Sequence, residues 1–80
     1  MQIVEVEWID SAHHQGWTAR SEWIESLKEK KYSVCRTAGY LLQKTRDSVV
    51  IVQSQSDVDH MDAAMVIPRV AVTKITVLKK

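Results

Sequence analysis

Val34-Cys-Arg-Thr-Ala-Gly39-Tyr-Leu-Leu42, joined by a polar connection to Val49-Val-Ile-Val52, is the stretch whose reading decides the fold. Val34, Ala38, Tyr40 and Leu42 share one parity, the period of a strand with one apolar face. Gly39 stands in its middle, and a glycine inside a strand marks a bulge or a sharp bend. Lys44-Thr45-Arg46-Asp47-Ser48 reads as the tight connection. Val49 to Val52 is β-branched and apolar on both faces, which suits a strand in the interior of its sheet.

Working outward, Val4, Val6 and Trp8 alternate with Glu5 and Glu7, so a half-buried strand is expected over about residues 2–10. Ser11 to Gly16 reads as a polar loop. Thr18 is placed to cap a helix over about 19–30, with Glu22 and Glu25 near its positive end and Lys28 and Lys30 near its negative end. Its apolar stripe, Trp23, Ile24 and Leu27, is narrow, and so short a helix must lean on a sheet. Strands are expected at about 33–44 and 48–55, with a polar stretch from Gln53 to His60. A further strand, about 62–67, stops at Pro68, which cannot donate to a ladder. The last covers about 70–78, with Ile75 and Val77 as core candidates. The chain thus reads as mainly β with one helix. Two architectures fit: a small, five-stranded, strongly bent antiparallel barrel, or an open α+β sheet with one covering helix.

Eighty residues and 9.2 kDa bound this to a single domain over 1–80, small enough that a lone core is marginal and a homo-oligomer, most simply a dimer, is expected. Eleven Lys/Arg against ten Asp/Glu argue against broad electrostatic attraction to nucleic acid or membrane. The balance is uneven along the chain. Residues 1–30 hold six acids and three bases, net −3, and residues 31–80 hold eight bases and four acids, net +4. The start lacks the pattern of a signal peptide and no apolar run is long enough to span a bilayer, so a cytoplasmic protein is expected.

Thr37-Ala-Gly-Tyr-Leu-Leu42 with Ser48-Val-Val-Ile-Val52 resembles the first paired strands of Sm-like (Src-homology-3-like) barrels. Met65-Val-Ile-Pro-Arg-Val-Ala-Val72, then Lys74-Ile75, is similar to their second motif of strand, short turn and strand. The resemblance covers about residues 34–78 and implies the bent barrel. The family's Asp/Asn base-recognition positions and its Arg/Lys-Gly dipeptide have no counterpart here. Val6-Glu-Trp-Ile-Asp10, Gly16-Trp17 and Val66-Ile-Pro68 also resemble small uncharacterised phage- and prophage-encoded proteins. That resemblance implies a phage accessory role, in the cytoplasm of a bacterial host.

Candidate ligand-binding residues fall in two groups. His13, His14, Trp17 and Arg20 lie around the expected helix start, where an aromatic plane, an Arg and backbone N–H groups suit an anion; a solvated loop is the ordinary alternative. Arg36, Arg46 and Arg69, with Lys44 and Lys74, form a basic rim if the strands pair as proposed, Arg36 and Lys44 emerging at opposite ends of one face. Neither the histidines with Cys35 nor Asp57-Val-Asp-His-Met-Asp62 has the spacing of a metal site, so no metal and no cofactor is expected. Cys35, alone on a strand, reads as a small buried hydrophobe. With only Gly16 and Gly39 available, no phosphate-cradling loop or nucleophile elbow exists, and an enzyme is not expected. Three functions are carried: a non-catalytic, homo-oligomeric protein that binds or sequesters a nucleotide-like ligand, as some phage counter-defence proteins do; an Sm-like nucleic-acid-binding module; and an adaptor for a host or virion protein. The near-neutral charge favours the first over the second.

Overall fold

A computed structural model describes residues 1–10, 17–26 and 33–80. These form strand β1 (Ile3–Asp10), helix α1 (Arg20–Ser26), and strands β2 (Ser33–Lys44), β3 (Ser48–Gln55) and β4 (Met61–Pro68). A single 3-10 turn, Arg69–Ala71, then leads into β5 (Val72–Lys79). All strand pairs are antiparallel, in one sheet of order β4-β3-β2-β1-β5. The helix begins with the Trp23 N–H donating to Ala19 O at 3.1 Å, so Ala19 and not Thr18 holds the cap position. Leu27 to Lys30, over which the helix was expected to continue, lie outside the described residues.

The sheet is open. Closure into the expected barrel needs β4 to pair with β5, and each of these strands has only one neighbour. The reason lies at Pro68. It ends the β4 ladder, and one 3-10 turn, with the Val72 N–H returning to Arg69 O, delivers β5 to the far edge beside β1. The open sheet of the second architecture is the one observed, and among the described residues α1 forms no extended contact with a strand.

The sheet is nonetheless bent, and β2 is where it bends. Its first half pairs with β1 from Ser33 to Tyr40, and its second half pairs with β3 from Tyr40 to Lys44. The ladder slips between Leu41 and Gln43, just beyond Gly39. Gly39 serves a different need, close approach. A Cβ placed there would stand 2.5 Å from Ile51 Cγ2 and 2.8 Å from the Val52 carbonyl oxygen. Thr37 on β2 reaches Met65 Sδ on β4 at 3.7 Å, although β3 lies between. In a flat sheet those strands stand about 9.6 Å apart, so the inner face is concave.

That concave face is the core. Val4, Val6, Val49, Ile51 and Ile67 are fully buried there, with Trp8, Leu41, Val72 and Ile75 packed around them. Cys35, Thr37 and Gly39 are the residues opposite Trp8, Val6 and Val4, so the inward parity of β2 is the odd one. Val34, Ala38, Tyr40 and Leu42, expected as the core stripe, are therefore not it. Val34 is 49% exposed and Leu42 46%. The reason is steric: only the glycine parity lets β3 lie against β2. Cys35 is half-buried beside Trp8, less enclosed than expected. Val49, Ile51 and Val52 are all buried and Val50 half-buried, which agrees with a strand paired on both sides.

Gly39→Ala is expected to destabilise the fold by about 1–3 kcal/mol, since one of the two clashing atoms is backbone and cannot rotate away. Ile51→Ala is expected to cost about 2–5 kcal/mol, and the exposed Val66→Ala less than about 0.5 kcal/mol. Urea unfolding midpoints at unchanged slope check all three.

Candidate functional site

The connection between β2 and β3 is a turn organised by one hydroxyl. Thr45 N–H donates to Ser48 O at 2.9 Å, and Thr45 Oγ1 accepts from the Ser48 N–H at 3.1 Å and the Asp47 N–H at 3.3 Å. A threonine accepting from N–H groups two and three residues on is the local chemistry that makes such turns rigid. The end of β4 is fastened to the same turn. Ser48 pairs with Pro68, and the Arg69 N–H donates to Asp47 O at 2.9 Å. Arg69 Nη1 also lies 3.5 Å from Thr45 O.

Two of the expected basic residues are thereby brought to one corner. Arg46 sits at the tip of the turn and Arg69 at the start of the 3-10 turn, both exposed, with Lys44 ending the adjoining strand. The Arg46–Asp47 approach is 3.7 Å between side chains that are 94% and 86% exposed, a pairing of negligible strength that leaves the guanidinium available. The corner offers two rigidly based guanidinium forks beside the Thr45 and Ser48 hydroxyls, which lie 3.4 Å apart. Such a set recognises an anion with several acceptor oxygens.

Arg36 does not join them. It lies on the outer, convex face and donates from Nη2 to Glu7 Oε1 at 3.2 Å, while Glu7 Oε2 accepts from Thr73 Oγ1 at 2.8 Å. Lys74 stands opposite Glu7 in the register, so this cluster holds β2, β1 and β5 together by side chains. The shared face expected for Arg36 and Lys44 is corrected by the β2 slip. Tyr40 faces Val52 but Lys44 faces Val49, whose parity is the opposite one.

Trp17 and Arg20 also stand apart from the corner. Trp17 is fully exposed ahead of α1, Arg20 is the exposed first residue of that helix, and neither bonds to Arg36, Arg46 or Arg69 among the described residues. His13 and His14 lie outside the described residues. Thr45, Asp47 and Ser48 are the site residues that sequence reasoning passed over. A Thr two and three residues ahead of Asp and Ser, between two strand patterns, was the available signal.

Thr45→Val is expected to cost about 0.5–1.5 kcal/mol, because it strands N–H groups that the hydroxyl satisfies. Arg36→Ala is expected to cost less than about 1 kcal/mol, its ion pair being exposed. Chemical denaturation of both variants checks the contrast. Comparison with known proteins finds no family model, curated protein or solved structure that matches this chain.

Proposed function

We propose that the protein is a non-catalytic, homo-oligomeric binding protein for a small phosphate-bearing, nucleotide-like ligand, serving as a phage accessory or counter-defence protein that sequesters it. The observation that carries the ligand class is the corner where the Arg69 N–H is fastened to Asp47 O, which brings the 3-10 turn that starts at Arg69 up to the Thr45-locked turn that holds Arg46. Phosphate needs several converging donors held in place before it arrives, so that little ordering entropy opposes binding. Trp17 and Arg20 stand apart from this corner in their own chain and meet the ligand from a neighbouring copy of the oligomer, where fully exposed Trp17 supplies a face on which a base stacks and Arg20 adds a cation. Arg36 is already committed to Glu7 and takes no part.

The scale of the corner favours a small ligand over a polymer. Nucleic-acid backbones are held by a track of Lys and Arg, whereas Lys44, Arg46 and Arg69 match one or two phosphates, and the chain's net charge is only +1.

Calorimetry against linear and cyclic nucleotides, with single-stranded RNA and DNA as controls, tests the reading. Arg46→Ala and Arg69→Ala are each expected to weaken binding about tenfold, the worth of one charge-assisted bond, with the far-UV spectrum unchanged. Trp17→Ala should weaken it too, and Arg36→Ala should not. Binding only to long RNA with a steep salt slope would transfer the reading to an Sm-like nucleic-acid module. No heat across the whole panel would leave a protein adaptor.

A further inference from the structure

The chain exposes far more surface than its mass requires. Its accessible area is 6443 Å², where a compact monomer of 9.2 kDa exposes roughly 4,900 Å². Its radius of gyration is 16.8 Å against about 12 Å for a compact chain of this length, and its extents are 56 × 22 × 19 Å. The surplus, about 1,500 Å² per chain or about 3,000 Å² for a pair, falls within the range buried by obligate homodimers.

Two apolar surfaces make up part of that surplus, and neither covers the other. The outer face of the sheet carries Val34, 49% exposed, and Val66, 64% exposed, with half-buried Tyr40 and Val50 on the same parity, on which Val52 is already fully buried. The helix α1 carries Ile24, 52% exposed, beside half-buried Trp23, and forms no extended contact with the sheet. So short a helix gains its stability from packing, not from propensity.

We infer that the protein is a homodimer in which α1 of each copy lies across the outer sheet face of the other, with Ile24 set against the Val50–Val66 pair. An element exchanged between two identical chains closes with two-fold symmetry and buries both surfaces at once. The inference builds on the homo-oligomeric part of the proposed function and is independent of the ligand.

The test is mass in solution by light scattering coupled to size exclusion, on the full chain and two surface variants, Ile24→Asp and Val66→Asp. The wild type is expected at twice 9.2 kDa, or 18.4 kDa, and each variant at 9.2 kDa with an unchanged far-UV spectrum. An equimolar mixture of the two variants should recover dimers, because one copy then keeps an intact helix and the other an intact sheet face. Should an aspartate variant lose its spectrum, serine at the same position carries the same reading. A wild-type mass of 9.2 kDa overturns the inference, as does a dimer indifferent to both variants or a mixture that stays monomeric. An 18.4-kDa dimer that binds no nucleotide sinks the ligand and leaves the dimer standing; a monomer that binds one does the reverse.

Discussion

The contact between Gly39 and β3 is the constraint from which the rest of the architecture follows. Ile51 Cγ2 and the Val52 carbonyl occupy the space where any other residue would carry its Cβ. Because that space is empty of side chain, β3 lies down against β2, and the sheet becomes concave on the glycine side. The concavity gathers Val4, Val6, Val49, Ile51 and Ile67 from three strands, β1, β3 and β4, into one enclosed cluster. With Val52, six fully buried aliphatic side chains, each worth roughly 1.5–3 kcal/mol, make a small core.

Polar side chains extend the bend into a framework. The Trp8 indole N–H donates to Thr37 Oγ1 at 2.9 Å, and that hydroxyl in turn meets Met65 Sδ, so β1, β2 and β4 are joined across the inner face. On the outer face Arg36, Glu7 and Thr73 join β2, β1 and β5. No side-chain polar atom is left buried without a partner among the described residues, which is what a core of this size requires, since each orphan costs about 1–3 kcal/mol. The curvature also brings the Thr45–Ser48 turn up to the end of β4. The basic corner is thus a consequence of the same bend, and its rigidity comes from backbone hydrogen bonds rather than from the arginines themselves.

The division between inner and outer faces carries the functional argument. The inner face is consumed by folding. What remains for recognition is the corner, the outer face and the arm that holds Trp17 and α1. Among the described residues the sheet is open at both edges, Trp17 is fully exposed and α1 makes no extended contact with a strand.

The sequence by itself determined that the chain is mainly β with one short helix, because period-two alternation is a local signal; that Arg69 to Ala71 form a 3-10 turn before the last strand was not legible in it. It also determined that Val49 to Val52 lies inside the sheet, since a β-branched run apolar on both parities suits a strand flanked by neighbours better than a solvated edge. Tertiary structure alone decided which parity of β2 faces inward. Both parities carry apolar residues, and the choice falls on Gly39 because a strand from elsewhere in the chain arrives there. Closure was likewise beyond local reading: whether β5 pairs with β4 or with β1 depends on competition between two edges, and the turn after Pro68 settles it. The site divided along the same line. Arg46 and Arg69 were legible as basic residues near turns, but that they share a corner, and that Arg36 is bound to Glu7, depends on strand register. A slip in β2 reverses which side chains share a face, and no periodicity within one segment records a slip relative to its neighbour.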